Sequence, residues 1–551
     1  MVRRPASRRR RVGPPAPRRD DRGSVLVSVL GSMLVVSAFL MVSLGGVVQQ
    51  APAARRDQDS KAAIAAAEAG VEEYVSRLNA DTNYWKNGNT DAGNPAFAAA
   101  GRPIPGTTGQ GSFSYQLVST PAQIAQNRTL RLRVTGTAPA GPGRTISKTL
   151  TVTIRPKSFL DFVYFSDVEV VDPAISGTNP LCAKHYYDSP PRSARNDCGE
   201  VYWGTGDVID GAFHSNDAVQ VNGQPRFLAP RTESSWPAID GAAAGTRTWW
   251  TRAGTNPPLP AFAPQYAPPI ALPIGNATML AYVEPDADGD GAVGPGCYYT
   301  GATRIRFQGA TMRVYSPSTS NPQTPSRCLD VANRGNEQVK AIPPVVYVDG
   351  TTSSCTFGSL GYPRPGEQYT VGASTAVAWK TDTSRGGWSP NYDCTRGTAY
   401  VEGDADAQVT VAARDDVVIT DDLTVTDGTT GSDIIGLVAG NYVWIYHPIN
   451  NGGQNIASSV PHTIQAAVLA LRHSFILQNW DQGNPLGSLD IRGAMAQEFS
   501  GPFATGNSSG TVVNGYPSQS LVYDPRLAYL QPPYFLQPDS SPWTVTTITD
   551  G

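Results

Sequence analysis

The first 80 residues change from an unbroken apolar run to a pattern with helical periodicity. No charged residue occurs between Ser24 and Val48. At about 1.5 Å per helical residue this run is about 37 Å long, enough to cross a hydrocarbon core of about 30 Å. Farther on, Ile64, Val71, Val75 and Leu78 recur on one helical face. The pattern predicts a transmembrane helix continued by an amphipathic one, together covering residues 24–79.

From Gly111 onward apolar and polar residues alternate, a period typical of half-buried strands. The alternating segments are 112–119, 129–137 and 145–154, and breaks containing Gly or Pro separate them. Residues 80–156 are therefore predicted to form a loop followed by a small antiparallel sheet with one solvated face. This sheet would cover the apolar stripe of the preceding helix.

Residues 157–530 contain many short β-prone runs joined by turns rich in Gly, Asn and Asp. The runs resemble one another but show no fixed period of a regular repeat protein. We expect a mainly β fold in which this segment forms a large irregular β-solenoid, similar to a parallel β-helix, with a β-sandwich as the alternative. Residues 531–551 are predicted to be a C-terminal tail. The 55 glycines and 46 prolines among 551 residues fit this turn-rich class, because the two together ordinarily make up about 12 %.

The net charge of −3 conceals a strongly basic N-terminus. Residues 1–22 hold nine arginines and two aspartates, and a basic segment before an apolar span marks the cytoplasmic side of a membrane. Residues 1–23 are thus predicted to be a cytoplasmic leader, with one pass through the cell membrane and the head outside. Because the remainder is acidic, nucleic acid is not an expected partner. A cleaved secretory signal is the alternative, but its apolar core would be only about 7–15 residues long.

All six cysteines lie beyond the apolar run, in the part predicted to be outside the cell. An even number there favours disulfides, which persist in oxidising compartments. The sequence leaves 15 full pairings open, and free buried thiols are a further alternative. Pairing between neighbours is the simplest because each bond closes a local loop: Cys182–Cys198, Cys297–Cys328 and Cys355–Cys394.

The N-terminal 155 residues resemble type IV pilin-like proteins, and most of all the N-terminal region of PilX-type minor pilins. The matching residues are Arg22-Gly23, the uncharged span, and Ala-Ala-Glu-Ala-Gly at 66–70. The resemblance implies that a prepilin peptidase cuts after Gly23, which would make Ser24 the new N-terminus, and that other pilin-like subunits are partners. Major pilins carry a glutamate at the fifth mature position, where this chain has Ser28. That departure implies a minor, tip or initiating component, or a retained membrane anchor.

One Asp-rich segment has the spacing of a calcium-binding loop. Asp286, Asp288 and Asp290 alternate and a glycine follows, so that three carboxylates are aimed inward. The twelfth position of such a loop is Cys297 here in place of a glutamate, and an Asp/Gly-rich turn is the alternative. Calcium is the only cofactor that the sequence suggests.

The head offers no catalytic motif that would identify an enzyme. The sequence has no HExxH, GxSxG, phosphate-binding or dinucleotide-binding motif. Adjacent residues of an extended segment point to opposite faces, so His214 and Ser215 are not expected to form a nucleophile–base pair. The acidic tract from Asp404 to Asp422 and several tryptophans leave an anchored polysaccharide-active enzyme, or a module that binds surface glycans, as the alternative.

Several sequence segments of the head also resemble other proteins. The segments DGAFHSND, GCYYTGATRIRF and YDPRLAYLQPPYF resemble the head region of uncharacterised bacterial surface proteins that carry this kind of N-terminus. The sequence therefore predicts a non-enzymatic, membrane-anchored minor pilin-like protein whose β-rich head makes structural or adhesive contacts at the cell surface.

Overall fold

The computed structural model describes most of the chain after residue 23. The described residues are 24–91, 93–106, 109–186, 188, 192, 195, 197–222, 224–229, 231–235, 250–252, 265–283, 294–369, 379–382, 386–456, 460–507, 511–538 and 541–550.

Strands dominate the described residues, and a single long helix precedes them. The helices are α1 (Ser24–Ala80), α2 (Pro121–Asn127) and α3 (Pro173–Ser176). The strands are β1 (Arg102–Pro103), β2 (Ser112–Leu117), β3 (Leu130–Pro139), β4 (Thr145–Pro156), β5 (Tyr164–Val168), β6 (Trp203–Gly204), β7 (Val208–Asp210), β8 (Phe213–Ser215), β9 (Val219–Asn222), β10 (Arg226–Phe227), β11 (Thr232–Ser234), β12 (Trp250–Arg252), β13 (Gln265–Tyr266), β14 (Cys297–Thr300), β15 (Thr303–Gly309), β16 (Thr311–Tyr315), β17 (Gln338–Ala341), β18 (Val345–Asp349), β19 (Trp379–Asp382), β20 (Gly386–Ser389), β21 (Ala399–Ala405), β22 (Gln408–Ala413), β23 (Val417–Val425), β24 (Ile434–Ala439), β25 (Val443–Ile445), β26 (Thr463–Ala470), β27 (Phe475–Leu477), β28 (Ser488–Phe499), β29 (Ala504–Gly506), β30 (Val512–Gly515), β31 (Ser518–Tyr523) and β32 (Trp543–Asp550).

The C-terminal half of α1 packs on an antiparallel sheet, and we call this helix–sheet unit the base. The sheet has the strand order β1-β2-β3-β4-β32, and β2, β3 and β4 correspond to the three strands that the sequence predicts. Alternation places Leu132, Val134 and Val152 on the face toward the helix, where they pack with Tyr74 and Leu78. The small core of the base therefore lies between the buried face of the helix and the inward-facing side chains of the strands.

Within the predicted tail 531–551, the structure has β32, which completes the base. β32 pairs antiparallel with β4, with Trp543 opposite Pro156 and Asp550 opposite Leu150. Trp543 is 1 % exposed in the core of the base, and its backbone N–H donates to Asn79 Oδ1 at 2.6 Å. The head is thus a long insertion between two neighbouring strands of the base.

The head is a solenoid of parallel strands, as the sequence predicts, and the sandwich alternative is wrong. One sheet pairs in parallel throughout, in the order β14-β18-β22-β24-β26-β28-β5-β8-β11-β13. A second parallel sheet has the order β15-β21-β23-β25-β27. The interior is filled by apolar side chains such as Val411, Ile419, Leu437 and Phe475, because each short strand turns alternate residues inward.

The stacking order of the solenoid differs from the order of the chain. The chain enters the middle of the stack at β5 and builds outward to β13; we call residues 158–266 the first arm. It then resumes at the opposite end with β14 and stacks back toward the middle; we call residues 297–523 the second arm. The arms join where β28 pairs with β5 and β31 pairs with β7, and we call these two pairings the arm junction.

Two segments without strands, each containing a short 3-10 helix, cover the outer face of the first sheet. Residues 270–283 and 524–538 supply apolar side chains that pack against outward-facing residues such as Tyr347 and Val438. The rings of Tyr282 and Tyr534 lie 4.2 Å apart and join the two segments. Since both faces of this sheet are covered, its strands are almost continuously buried, as β22 and β24 illustrate.

We expect Trp543→Ala to destabilise the base, because it empties a fully buried site between α1 and the sheet. Truncation of a buried Trp costs about 3–5 kcal/mol, which should appear as faster proteolysis of residues 80–156 in the intact protein. The matched control is Ile548→Ala in the same strand, where the side chain is 55 % exposed. Equal proteolysis rates for the two variants would contradict the role assigned to β32.

Candidate functional site

Helix α1 presents an unpaired apolar surface in its N-terminal half. Every large apolar side chain described between Val29 and Met41 is at least 44 % exposed, and these residues lie on all faces of the helix. Across the residues that the structure describes, no helix has a stretch apolar and long enough to cross a membrane. The predicted span 24–48 lies within α1, but the side chains of 24–27 and 42–54 fall outside the described part. The transmembrane span stays a prediction.

The C-terminal half of α1 approaches β3 unusually closely. A Cβ added at Gly136 would lie 2.1 Å from the Ala63 carbonyl oxygen and 2.2 Å from the Ala67 amide nitrogen. On the helix side, a Cβ at Gly70 would lie 2.7 Å from Val134 Cγ1. Gly136, which faces alanines of the helix, therefore lets the two backbones touch, and Gly70 leaves room on the helix side for Val134 and Phe113.

This contact gives the Ala-Ala-Glu-Ala-Gly segment a physical role. Ala66, Ala67 and Gly70 are buried against the sheet, whereas Glu68 is exposed. The buried face is centred on small residues, so Ile64 and Val75 of the predicted stripe are only partly buried. Val71 and Leu78 of the stripe are buried as predicted, but apolar size alone misses the small residues that the close contact requires.

Glu73 holds the loop of residues 80–109 against the helix. Its carboxylate accepts hydrogen bonds from Arg77 Nε at 2.5 Å, Arg102 Nη1 at 2.6 Å and the Tyr115 hydroxyl at 2.5 Å. Burial, followed by the hydrogen bond to Glu73, raises the pKa of Tyr115 well above its ordinary value. Glu73 is therefore not simply part of a solvated helix face: it orients the edge strand β1.

Two sets of predicted site residues lie partly or wholly outside the described residues. Gly23 precedes the described part, and Ser24 is the first residue of α1, so cleavage stays a prediction. Asp286, Asp288 and Asp290 also lie outside it, and the calcium site stays a prediction. The ends of that loop are described: the Gly296 amide donates to the Tyr282 carbonyl at 2.9 Å.

The cysteines form the three neighbour disulfides that close local loops. They are Cys182–Cys198, Cys297–Cys328 and Cys355–Cys394. The second bond fastens residues 316–330 over β14, the outermost strand of its sheet, where Tyr299 donates to the Cys328 carbonyl at 3.0 Å. This covers backbone groups that a terminal strand would otherwise leave unpaired.

The disulfide Cys182–Cys198 closes a loop that brings Arg192 into a buried carboxylate cluster. Arg192 is fully buried; its Nη1 lies 2.8 Å from Asp217 Oδ2, and its Nε lies 3.0 Å from Glu200 Oε1. Beside it, Glu169 is fully buried and accepts hydrogen bonds from Tyr164 and Ser166. Its other carboxylate oxygen has no partner among the described residues, and burial raises the pKa of Glu169 to about 7.

The histidines of the head do not assemble a catalytic triad with their neighbours in sequence. His214 Nδ1 lies 3.2 Å from Glu233 Oε2, whereas the Ser215 hydroxyl accepts a hydrogen bond from Ser166 at 2.9 Å. His473, which Ser474 follows in the sequence, instead has its Nδ1 2.6 Å from Asp172 Oδ2.

The acidic tract caps turns of the solenoid. Asp404 accepts from the Thr424 hydroxyl at 2.7 Å. Asp415 lies 2.8 Å from Arg396 Nη2. Asp422 accepts from two backbone amides, those of His462 and Thr463, at 2.7 and 2.9 Å. These carboxylates satisfy donors at the ends of strands, which is a structural role.

Sequence reasoning missed the buried charges around Glu169, Asp217 and Arg192, and those around Asp172 and Glu498. The residues of each cluster come from strands and loops that are distant in sequence, so no local spacing of residues predicts these clusters. The one available signal was the Cys182–Cys198 spacing, which predicts a closed loop but not what the loop carries.

The substitution Gly136→Ala is expected to weaken the base, because the new methyl group would overlap the backbone of α1, which cannot move as a flexible side chain would. Overpacking of this kind costs about 1–3 kcal/mol or more, measurable as a lower midpoint of thermal unfolding of the base. Gly335→Ala is the matched control because nothing lies within 4 Å of its Cβ position. A Gly136→Ala variant as stable as the control would refute the close contact.

Comparison with known proteins yields little sequence similarity. No protein-family model matches the chain, and no curated protein matches it. Among solved structures, the competence-associated pilin ComZ from Thermus thermophilus aligns with 90 % of this chain and 97 % of its own, at 13 % identity and a TM-score of 0.26. A similarity at that TM-score does not by itself carry an argument about fold or function.

Proposed function

We propose that this protein is a membrane-anchored, pilin-like surface protein that acts as a minor component of a type IV pilus or related machinery. In this proposal α1 is the anchor and docking element, the base connects it to the head, and the head makes structural or adhesive contacts outside the cell. The partners are the membrane, other pilin-like subunits and the prepilin peptidase.

The observation that carries the proposal is the division of α1 into two surfaces. Side chains from Val29 to Met41 are exposed on all faces, whereas Ala63, Ala67, Tyr74 and Leu78 are buried against the sheet. A helix that is apolar all round requires apolar surroundings, either lipid or neighbouring helices. One continuous helix joins these two surfaces, so it would carry the base directly on its anchor.

Ser28 supports the role of a minor pilus component over that of a repeating filament subunit. In the resembling family, a glutamate at this position compensates the N-terminal amine of a neighbouring subunit. A serine cannot supply that charge, and an unpaired charge buried among apolar helices is costly. A component present in few copies, or one retained in the membrane, avoids burying such amines repeatedly along a filament.

The described acidic residues favour a non-enzymatic head over the polysaccharide-active alternative. Asp404, Asp415 and Asp422 are each engaged with hydroxyl, guanidinium or amide donors. A glycoside hydrolase needs a pair of carboxyl groups that flank an open substrate site, and these three are committed to turns.

Membrane retention tests the anchor. The double substitution Leu34→Lys and Phe39→Lys places two charges in the exposed apolar part of α1, each costing about 2.5–3.5 kcal/mol at the centre of a membrane helix. We expect a C-terminally tagged protein to move from the washed membrane fraction to the soluble fraction. The control is Ile274→Lys, at an apolar residue of the head that is 90 % exposed. A wild-type protein found only in the soluble fraction would refute the proposal.

The mature N-terminus tests the connection to a pilus. In a host with the peptidase, mass spectrometry should find a chain that begins at Ser24, and deletion of the peptidase should restore residues 1–23. An intact leader in both strains would exclude processing and leave only a retained membrane anchor.

A further inference from the structure

The arm junction joins two parts of the head by non-covalent contacts that are distant in sequence. In its first pairing, Gln497 of β28 lies opposite Ser166 of β5, and Phe499 lies opposite Val168. The hydroxyl groups of Tyr164 and Ser500 lie 3.0 Å apart across it, although 336 residues separate them. Each disulfide closes a loop within one arm, so none of the three crosses the junction.

Carboxyl groups from both arms meet at this junction. The register of β28 on β5 places Glu498 of the second arm beside Asp167 of the first arm, on the same face of the sheet. Asp172, also in the first arm, is 2 % exposed, and its charge, like that of Asp167, raises the pKa of Glu498. Like charges placed next to each other in a sheet repel.

Basic and hydrogen-bonding side chains contact both aspartates. Asp172 Oδ2 accepts from the Tyr442 hydroxyl at 2.6 Å and lies 2.6 Å from His473 Nδ1. Asp167 Oδ1 lies 3.2 Å from His185 Nε2 and accepts from Asn216 Nδ2 at 2.8 Å. His185 thus contacts Asp167, and His473 contacts Asp172.

Arg472, in the second arm, is the cation that acts on Glu498, and it opposes the rise in that group's pKa. Burial is the largest cause of that rise, followed by Asp167 and Asp172, and the result is a pKa of about 8. A proton held on Glu498 therefore removes one of three like charges from the junction.

We propose that the arm junction is a proton-operated latch, in which the proton on Glu498 keeps the two arms in one stack and its loss loosens the pairing of β5 with β28. A carboxyl group whose pKa is raised in the folded state stabilises that state at low pH. The contribution is lost as the pH rises through the folded value, here about 8.

Two nearby groups of the first arm act in the same direction. Hydrogen bonding and charge from Asp167, with Asp217 and Asp188, outweigh burial and raise the pKa of His185 to about 9. Its attraction to Asp167 is therefore lost as the pH rises through that value. Glu169, with a pKa of about 7, becomes a buried charge over a lower range. The combined effect is a junction that weakens steadily from neutral to alkaline pH.

Hydrogen–deuterium exchange of the full-length protein in detergent tests the latch. After correction for the intrinsic exchange rate, we expect the amides of β5 and β28 to lose at least about tenfold in protection between pH 6 and pH 9. Amides of β3 in the base serve as an internal reference and should keep their protection. Equal protection of β5 and β28 at both pH values would overturn the proposal.

Three variants separate the latch from general alkaline loosening. Glu498→Gln mimics the protonated carboxyl group and should remove most of the pH effect at β5 and β28, leaving the smaller part that His185 and Glu169 contribute. Asp167→Asn removes one facing charge from the other arm and should reduce the effect. Glu402→Gln alters a carboxylate paired with Arg306 elsewhere in the solenoid and should leave the effect unchanged. A Glu498→Gln protein that retains the wild-type pH dependence would refute the role of this residue.

Discussion

The backbone contact between α1 and β3 is the constraint on which the arrangement of the whole molecule depends. At Gly136 no atom separates the strand from the helix backbone, and a methyl group would lie 2.1 Å from the Ala63 carbonyl oxygen. This contact fixes where α1 lies on the sheet, and with it the direction in which the apolar half of the helix leaves the base. The same sheet holds both ends of the head through β4 and β32. A shift of the helix would therefore change how the head is carried relative to the anchor.

Several local features cover the ends of the solenoid, where a terminal strand would otherwise expose unpaired backbone groups. At one end, β16 and β17 reverse direction and pair antiparallel, which ends that parallel sheet because the next coil has no matching edge. A disulfide loop covers β14 nearby. In the middle of the stack, where the chain enters and later leaves the solenoid, the two arms pair with each other at the arm junction. Among the described residues, the strand at the entry point, β5, is paired on both sides, with β28 and with β8.

The sequence predicts the architecture far better than it predicts the contacts within it. Alternation of apolar and polar residues is local and correctly gives β2, β3 and β4, and the short β-prone runs joined by Gly, Asn and Asp turns, also a local signal, give the solenoid class. The neighbour pairing of the cysteines, the simplest of the 15 pairings that the sequence leaves open, is also confirmed. By contrast, the pairing of β28 with β5 and of β32 with β4 joins residues hundreds of positions apart. No local pattern encodes which strand end receives which partner, and for that reason the cluster around Glu498 and the completion of the base were not predicted.

The insertion of the head between β4 and β32 has a consequence for biosynthesis. The fifth strand of the base emerges only after the whole head, and at about 5–20 residues per second this delay is about 20–80 s. Until then Asn79 lacks its backbone partner, and the site of Trp543 is empty. Closing so long a loop costs only slightly more entropy than closing a short one, because the cost grows with the logarithm of length. A completed base therefore requires that the head has already been synthesised, and a chain terminated within the head would present an unfinished base to proteases.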